Sequence, residues 1–317
     1  IKGGHPDRFV NQYEALGLIA GNPFNDSMPI QGGDPVQNSW GVWLAWPEGV
    51  VSGFPLHDLE HVVIKDIEHW KDYVTAPDPS RFTEADWEPQ IAQAEAVDSD
   101  ECFPTAFVAP GIFEQCHHLL GIDKCLLDLT MYPDEMHELV KTVTEYELKY
   151  AERVCEHVKP EAIFHHDDWG TQRSTFMSLA MFDDFYLDAY RQVYGYYKDH
   201  GVQVIVHHSD SYAETLVPEM IQMGIDVWQG AMSTNDIPRV IERYGGEITI
   251  MGGIDNGIFD RGDSEEADVR AYVDKTCEEN GTRYYIPCAT MGGPESLFPG
   301  LYDIVSDEID IMSKKLF

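Results

Sequence analysis

The chain has 317 residues, with 21 Lys+Arg against 56 Asp+Glu and a formal charge of −35. The excess is even, at −12, −10 and −13 over residues 1–100, 101–200 and 201–317. No basic cluster is present to neutralise nucleic-acid phosphates or an anionic membrane surface. Hydrophobic residues at 43% and aromatics at 12% supply a large core, which excludes a disordered acidic chain.

The length permits two domains or one large α/β barrel. No run of 18 apolar residues predicts a transmembrane span. Residue 1 is Ile and no signal peptide is visible. The cysteines at 102, 116, 125, 155, 277 and 288 are widely spaced without a CxxC. Together these point to a cytoplasmic, reducing setting rather than a disulfide scaffold.

Residues 1–100 are turn-rich and aromatic, with GGDP, NSWG, AWPEG and SGFP. They read as an N-terminal extension packed on a barrel mouth, with only weak strands. Trp40, Trp43 and Trp46 either line a pocket for a flat ligand or serve as plain core packing. From residue 102 onward, apolar runs at 103–109, 162–166, 202–208, 225–229, 247–253 and 283–288 predict buried strands. Between them, His117–His118 reads as helix packing or capping. Pro133 opens a long amphipathic helix, and the helical stretches 183–200, 212–223 and 235–244 each run into glycine. Segments 264–280 and 301–316 complete the helices. Strand–helix alternation with short connections predicts parallel βαβ units. The expected fold is a single (β/α)8 TIM-type barrel, its main part over 101–317. The absence of GxGxxG argues against a dinucleotide-binding Rossmann sheet.

In such a barrel the chemistry sits at the C-terminal strand ends. Four predicted strands end in polar residues there: His165 to Gly170, His207 to Asp210, Asp255–Asn256, and Cys288. His208, Asp210 and Cys288 form a chemically sensible zinc set with one open position. The alternative is hydrogen-bonded strand-end histidines and a buried apolar thiol. Within HHDDWG, strand alternation turns at most two residues inward. His166 and Asp168 are the candidates for acid/base or substrate-binding work, against loop carboxylates that cap the next helix. Trp169, Trp40, Trp43, Gln229 and Asp255 are the substrate-binding candidates.

Three stretches carry a family resemblance. They are GIFEQCHHLLGIDKCLLDLTMYPDEMHELV, DDWGTQRSTFMSLAMFDDFYLDAYRQVYGYYKDHGVQVIVHHSD and ITIMGGIDNGIFDRGDSEE. In their order and spacing the chain resembles the uroporphyrinogen decarboxylase superfamily, and within it the corrinoid-dependent methyltransferase branch. The resemblance covers residues 100–317 well and the first hundred loosely. It implies zinc held by a His-x-Cys pair and a later Cys. Setting the family histidine on His208 places Asp210 where the first cysteine stands, and Cys288 matches the later one. The other register uses His207 and puts Ser209 there. A carboxylate in place of a thiolate makes a harder Lewis acid, suited to an ether oxygen.

The arginine-rich N-terminal motif of true decarboxylases is absent, since the first hundred residues hold only Arg8 and Arg81. The resemblance therefore implies a zinc-dependent methyltransferase moving a methyl group between a small methylated compound, of methoxy type, and a corrinoid protein. No corrinoid-binding domain or Asp-x-His-x-x-Gly motif is present in the chain. The corrinoid (cobalamin) would therefore come on a partner and reach a mouth gated by the N-terminal segment. Alternatives are transfer to a thiol acceptor, a decarboxylase, and a non-catalytic relative that binds a ligand. A homo-oligomer is possible.

Overall fold

The computed structural model describes residues 7–24, 29–50, 52–293 and 297–317. Among the described residues ten strands occur in chain order: β1 Leu16–Ile19, β2 Val36–Gln37, β3 Trp43–Ala45, β4 Phe54–Pro55, β5 Phe103–Val108, β6 Ala162–His166, β7 Val204–His208, β8 Val227–Ala231, β9 Thr249–Ile254 and β10 Tyr285–Ala289. Seven of them form one parallel sheet in the order β1-β5-β6-β7-β8-β9-β10. From β5 onward each strand neighbours the next in sequence, as helix-connected βαβ units require. Strands β2, β3 and β4 form a separate small antiparallel sheet.

The sheet is curled. Leu16 of β1, Phe164 of β6, Val206 of β7, Val227 of β8, Met251 of β9 and Cys288 of β10 are buried in one shared cluster. A flat sheet could not bring its two edge strands, β1 and β10, into the same interior. The chain ahead of β1 seals that side. Phe9 stacks edge-on against Tyr285 at 6.3 Å, and its N–H donates to Ser313 Oγ at 2.9 Å. A second, larger core lies between the sheet and the helices outside it. Strand alternation divides residues between the two: Phe164 is interior, while Ile163 and Ile205 face the helices.

This differs from the expected eight-stranded barrel in one respect. Among the described residues seven strands are hydrogen-bonded, and β1 does not pair with β10. The first strand of the curled sheet, β1, comes from within residues 1–100. The other short strands of that segment pair with each other rather than joining the barrel. Much of the rest of the segment packs on the helical layer. Trp40 meets Tyr146 at 4.9 Å and Trp87 meets Tyr150 at 5.9 Å, both on the helix Pro133–His157. The Ile64 N–H donates to Leu119 O at 2.9 Å, on the helix Ile112–Leu120.

The helices outside β6 and β7 hold the site from behind. The run from Leu179 to Asp199 contains a π-helical segment, Asp183–Leu187. Along it Tyr186, Tyr190 and Tyr194 recur every four residues, so they share one face, and all three are fully buried against the strands.

Among the described residues no helix is long and apolar enough to cross a membrane.

Candidate functional site

The site is built where β6 and β7 end. Their register pairs His165 with His207 and His166 with His208. Alternation then sends the two pairs to opposite faces. His166 and His208 stack at 4.4 Å beside the interior, whereas His165 and His207 stack at 6.0 Å in the helical layer.

The outer pair is saturated by structural partners. His207 Nε2 lies 3.1 Å from Asp167 O, so it carries the proton and donates. Its Nδ1 then accepts from the Tyr194 hydroxyl at 2.8 Å. The Tyr194 oxygen in turn lies 3.1 Å from His165 Nδ1, and His165 Nε2 lies 3.0 Å from Glu147. The Trp169 ring covers His207 at 3.8 Å and is itself fully buried, its indole N–H donating to Tyr190 at 3.0 Å. These bonds bear on the choice between His207 and His208 that the sequence leaves open. His207 has no free nitrogen, whereas His208 turns inward.

Asp167 also belongs to this layer. Its carboxylate accepts the N–H groups of Phe113 and Glu114, both at 2.9 Å, and the hydroxyl of Tyr190. That anchors the start of the helix Ile112–Leu120 and explains Gly111. A Cβ there would lie 2.4 Å from Asp167 Oδ2 and 2.5 Å from His165 Cε1. The anchored helix presents Glu114, whose Oε2 lies 3.0 Å from His166 Nδ1.

On the inner face, His166, Asp168 and His208 place their ligand atoms within 4.8 Å of one another. Each imidazole is held at Nδ1 by an oxygen acceptor, His166 by Glu114 and His208 by Gln229. The Gln229 amide orientation is fixed on its other side, where its NH2 faces Thr290 O at 3.4 Å and Cys288 Sγ at 3.8 Å. With Nδ1–H donated, Nε2 of His208 carries the lone pair, and Nε2 of His166 gains one when its second proton leaves. His208 Nε2 points at Asp168 Oδ1, 3.8 Å away. Asp168 Oδ1 also accepts the Asp210 N–H at 3.0 Å. Side-chain exposures of 32% for His166 and 28% for Asp168 leave the group open to solvent.

Burial opposes a charge on His166, but the bonded Glu114 carboxylate, with Asp168 and Asp210, outweighs it and raises its pKa to about 10. Burial and the charge on His166 push His208 down to about 4. Burial and the charge of Asp168 raise Asp210 to about 8. Burial raises the Cys288 thiol to about 12.

The other expected site residues fall as follows. Asp210 lies beside the group, next to Asp168, but outside the trio that meets within 4.8 Å. Cys288 is fully buried in the interior layer, with Gln229 between it and His208. Gln229 faces inward by alternation from Val227, in register with His208 and Met251, and a bulge in β8 follows it at Gln229/Ala231. There Gly230 adopts φ +92 with Ser209 and Asp210 backbone 3.0 Å from where a Cβ would be. Asp255 lines the cleft, but its oxygens are taken by the Gly257 N–H at 3.0 Å and Ser233 Oγ at 2.7 Å. Trp169 and Trp40 belong to the packing layers, so neither ring reaches the cleft. Trp43 sits in the small sheet against His61 at 5.8 Å. Glu114 escaped the sequence reading. It stands six residues past β5, within the strand-end zone where site residues were sought on β6 to β10.

Beside the trio, reached through Asp210, whose N–H donates to Asp168, lies a cleft of about 600 Å³. One wall is the loop Gly170–Arg173, the other Asn256, Thr290 and Met291, with Asp210 between. The donor set suits a divalent metal. Two imidazole nitrogens and one carboxylate oxygen, each ring oriented by an acceptor behind it and one side open, are the pattern of a catalytic zinc site once a metal takes the place of the second His166 proton.

A methyltransferase from Methanosarcina mazei has a similar fold, with a TM-score of 0.62 at 13% identity over 83% of this chain and 72% of that one. No curated protein matches the chain. The model of the uroporphyrinogen decarboxylase (URO-D) family matches residues 96–289, well over half of the sequence, and the chain belongs to that family.

Proposed function

We propose that the protein is a zinc-dependent methyltransferase that moves a methyl group between a small methoxy compound and a corrinoid protein. The observation that carries this is the trio His166, Asp168 and His208, with both rings pre-set by Glu114 and Gln229, joined through Asp210 to an open cleft. The methyltransferase fold of the Methanosarcina protein supports the same assignment.

His166, Asp168 and His208 would hold the metal. A zinc ion there supplies Lewis acidity to the ether oxygen that gives up its methyl. The chain's own groups do the rest. Glu114 and Gln229 keep both Nε2 atoms aimed at one point, and His166 would give up its second proton on binding. The cleft walls orient the substrate with its methyl toward the mouth, where the corrinoid partner arrives. The methyl–oxygen bond breaks with its electron pair remaining on oxygen, and Asp210, on the cleft floor, is placed to hand that oxygen a proton. Cys288 offers a second arrangement, a His208–Asp210–Cys288 set. It requires Gln229 to leave the gap between His208 and the thiol.

The test is methyl transfer itself. Purified protein, a reduced corrinoid protein and a panel of methoxy-aromatic, methanol, methylamine and thiol compounds would be followed by the cobalt(I)-to-methylcobalt spectral change. Transfer from a methoxy compound, lost in His208→Ala, is expected. Inactivity with all of them counts against the proposal.

A further inference from the structure

We propose that Arg173 is a specificity-determining residue whose guanidinium takes a carboxylate on the small ligand that enters the cleft. The inference deepens the function proposed above and rests on the cleft being the substrate site. In a chain with 56 acidic residues, Arg173 is the one cation among the described residues that line the cleft. No carboxylate among the described residues pairs with it. The acidic groups that line the cleft have other partners. Asp255 accepts from Gly257 and Ser233, and the Asp210 side chain is hydrogen-bonded to Asp168.

The loop that carries Arg173 is held in place. The Thr171 N–H donates to Ser174 O at 2.8 Å, and Thr171 Oγ1 accepts from the Arg173 N–H at 3.2 Å. The Thr171 carbonyl accepts from the Tyr212 N–H at 2.8 Å, and Gly170 bridges to Thr175. A Cβ at Gly170 would lie 2.8 Å from Ser174 O, so the turn closes tightly on itself. A guanidinium on a pre-ordered backbone gives a planar fork for a carboxylate with less ordering cost. The opposite wall is polar and weakly apolar, from Asn256, Thr290 and Met291. The ligand that fits this arrangement has an anionic end at the rim and a neutral, methylated end over the trio.

The test is a matched pair of probes, 4-methoxybenzoate and 4-methoxybenzamide, titrated calorimetrically into the wild-type protein, Arg173→Gln and Arg173→Lys. The benzoate is expected to bind roughly tenfold or more tightly than the amide, as a charge-assisted contact gives. The preference should vanish in Arg173→Gln and survive in part in Arg173→Lys. Equal affinities in the wild type, no binding of either probe, or an unchanged preference in Arg173→Gln would each overturn the proposal. Methyl transfer is read separately in the cobalt assay. Arg173-dependent binding without transfer from either probe would uphold the anion site and sink the methyltransferase. Transfer with equal affinity for both probes would do the reverse.

Discussion

Tyr194→Phe isolates the layer that supports the site. The hydroxyl stands between two imidazole nitrogens, at 3.1 Å from His165 and 2.8 Å from His207, and both rings are fully buried. Because His207 Nε2 must donate to Asp167 O, the hydroxyl hydrogen goes to His207 Nδ1 and the oxygen accepts from His165. Deleting the oxygen orphans one acceptor and one donor where no water reaches them. A buried polar group without a partner costs about 1–3 kcal/mol, so the pair should cost about 2–6 kcal/mol, with packing nearly unchanged by Phe. Urea unfolding of the wild type and the variant measures this directly. His207→Phe and the double variant complete a cycle in which the two substitutions should be strongly non-additive. The hydroxyl serves the outer face, so zinc affinity at the inner face should change by no more than about threefold, well below the loss expected from a ligand's own support. A loss of stability below about 0.5 kcal/mol, the size of an ordinary surface substitution, would refute the tautomer assignment and the buried network built on it.

Three further outcomes are expected. Gln229→Leu removes the acceptor behind His208 Nδ1 and should weaken zinc binding about 10–100-fold in chelator competition, as loss of such a support does. Unchanged affinity would contradict the orientation of His208. Gly111→Ala drives a methyl group into Asp167 and His165 and should cost at least about 2 kcal/mol in denaturant unfolding. A neutral result would mean that the β6 end yields. Burial lowers His117 from 6.5 to about 4, so the unfolded chain binds a proton that the folded one refuses between those values. Stability should therefore fall as pH drops from 6.5 toward 4, by about 3 kcal/mol from this group, and His117→Phe should remove that part of the acid limb. Parallel limbs in both proteins would contradict it.

The strands from β5 to β10 were legible because each is a short β-branched or aromatic run bounded by turns, and β6 was readable to the residue. β1 was not, because LGLI is short and sits among turns, and its strand character comes from pairing with β5. The inward direction of His166 and Asp168 followed from alternation alone. Alternation also separates His208 from His207, but only once the register against β6 is known. The family pattern favoured Asp210 and Cys288 as ligands. It could not show that Gln229 stands between His208 and the thiol, since that depends on how β8 pairs with its neighbours rather than on local sequence. The tryptophans misled for a related reason. Aromatic residues near a mouth and aromatic residues that anchor an outer helix have the same composition. Only burial tells Trp169 and Trp40 from ligand platforms.

The central claim is that His166, Asp168 and His208 hold one metal ion. Metal content of the purified, zinc-equilibrated protein and of His166→Ala, Asp168→Ala, His208→Ala and Cys288→Ser variants tests it most directly. One zinc per chain is expected in the wild type and in Cys288→Ser, and none in the other three. A folded wild type that binds no zinc, or zinc retained in His166→Ala and lost in Cys288→Ser, would contradict it.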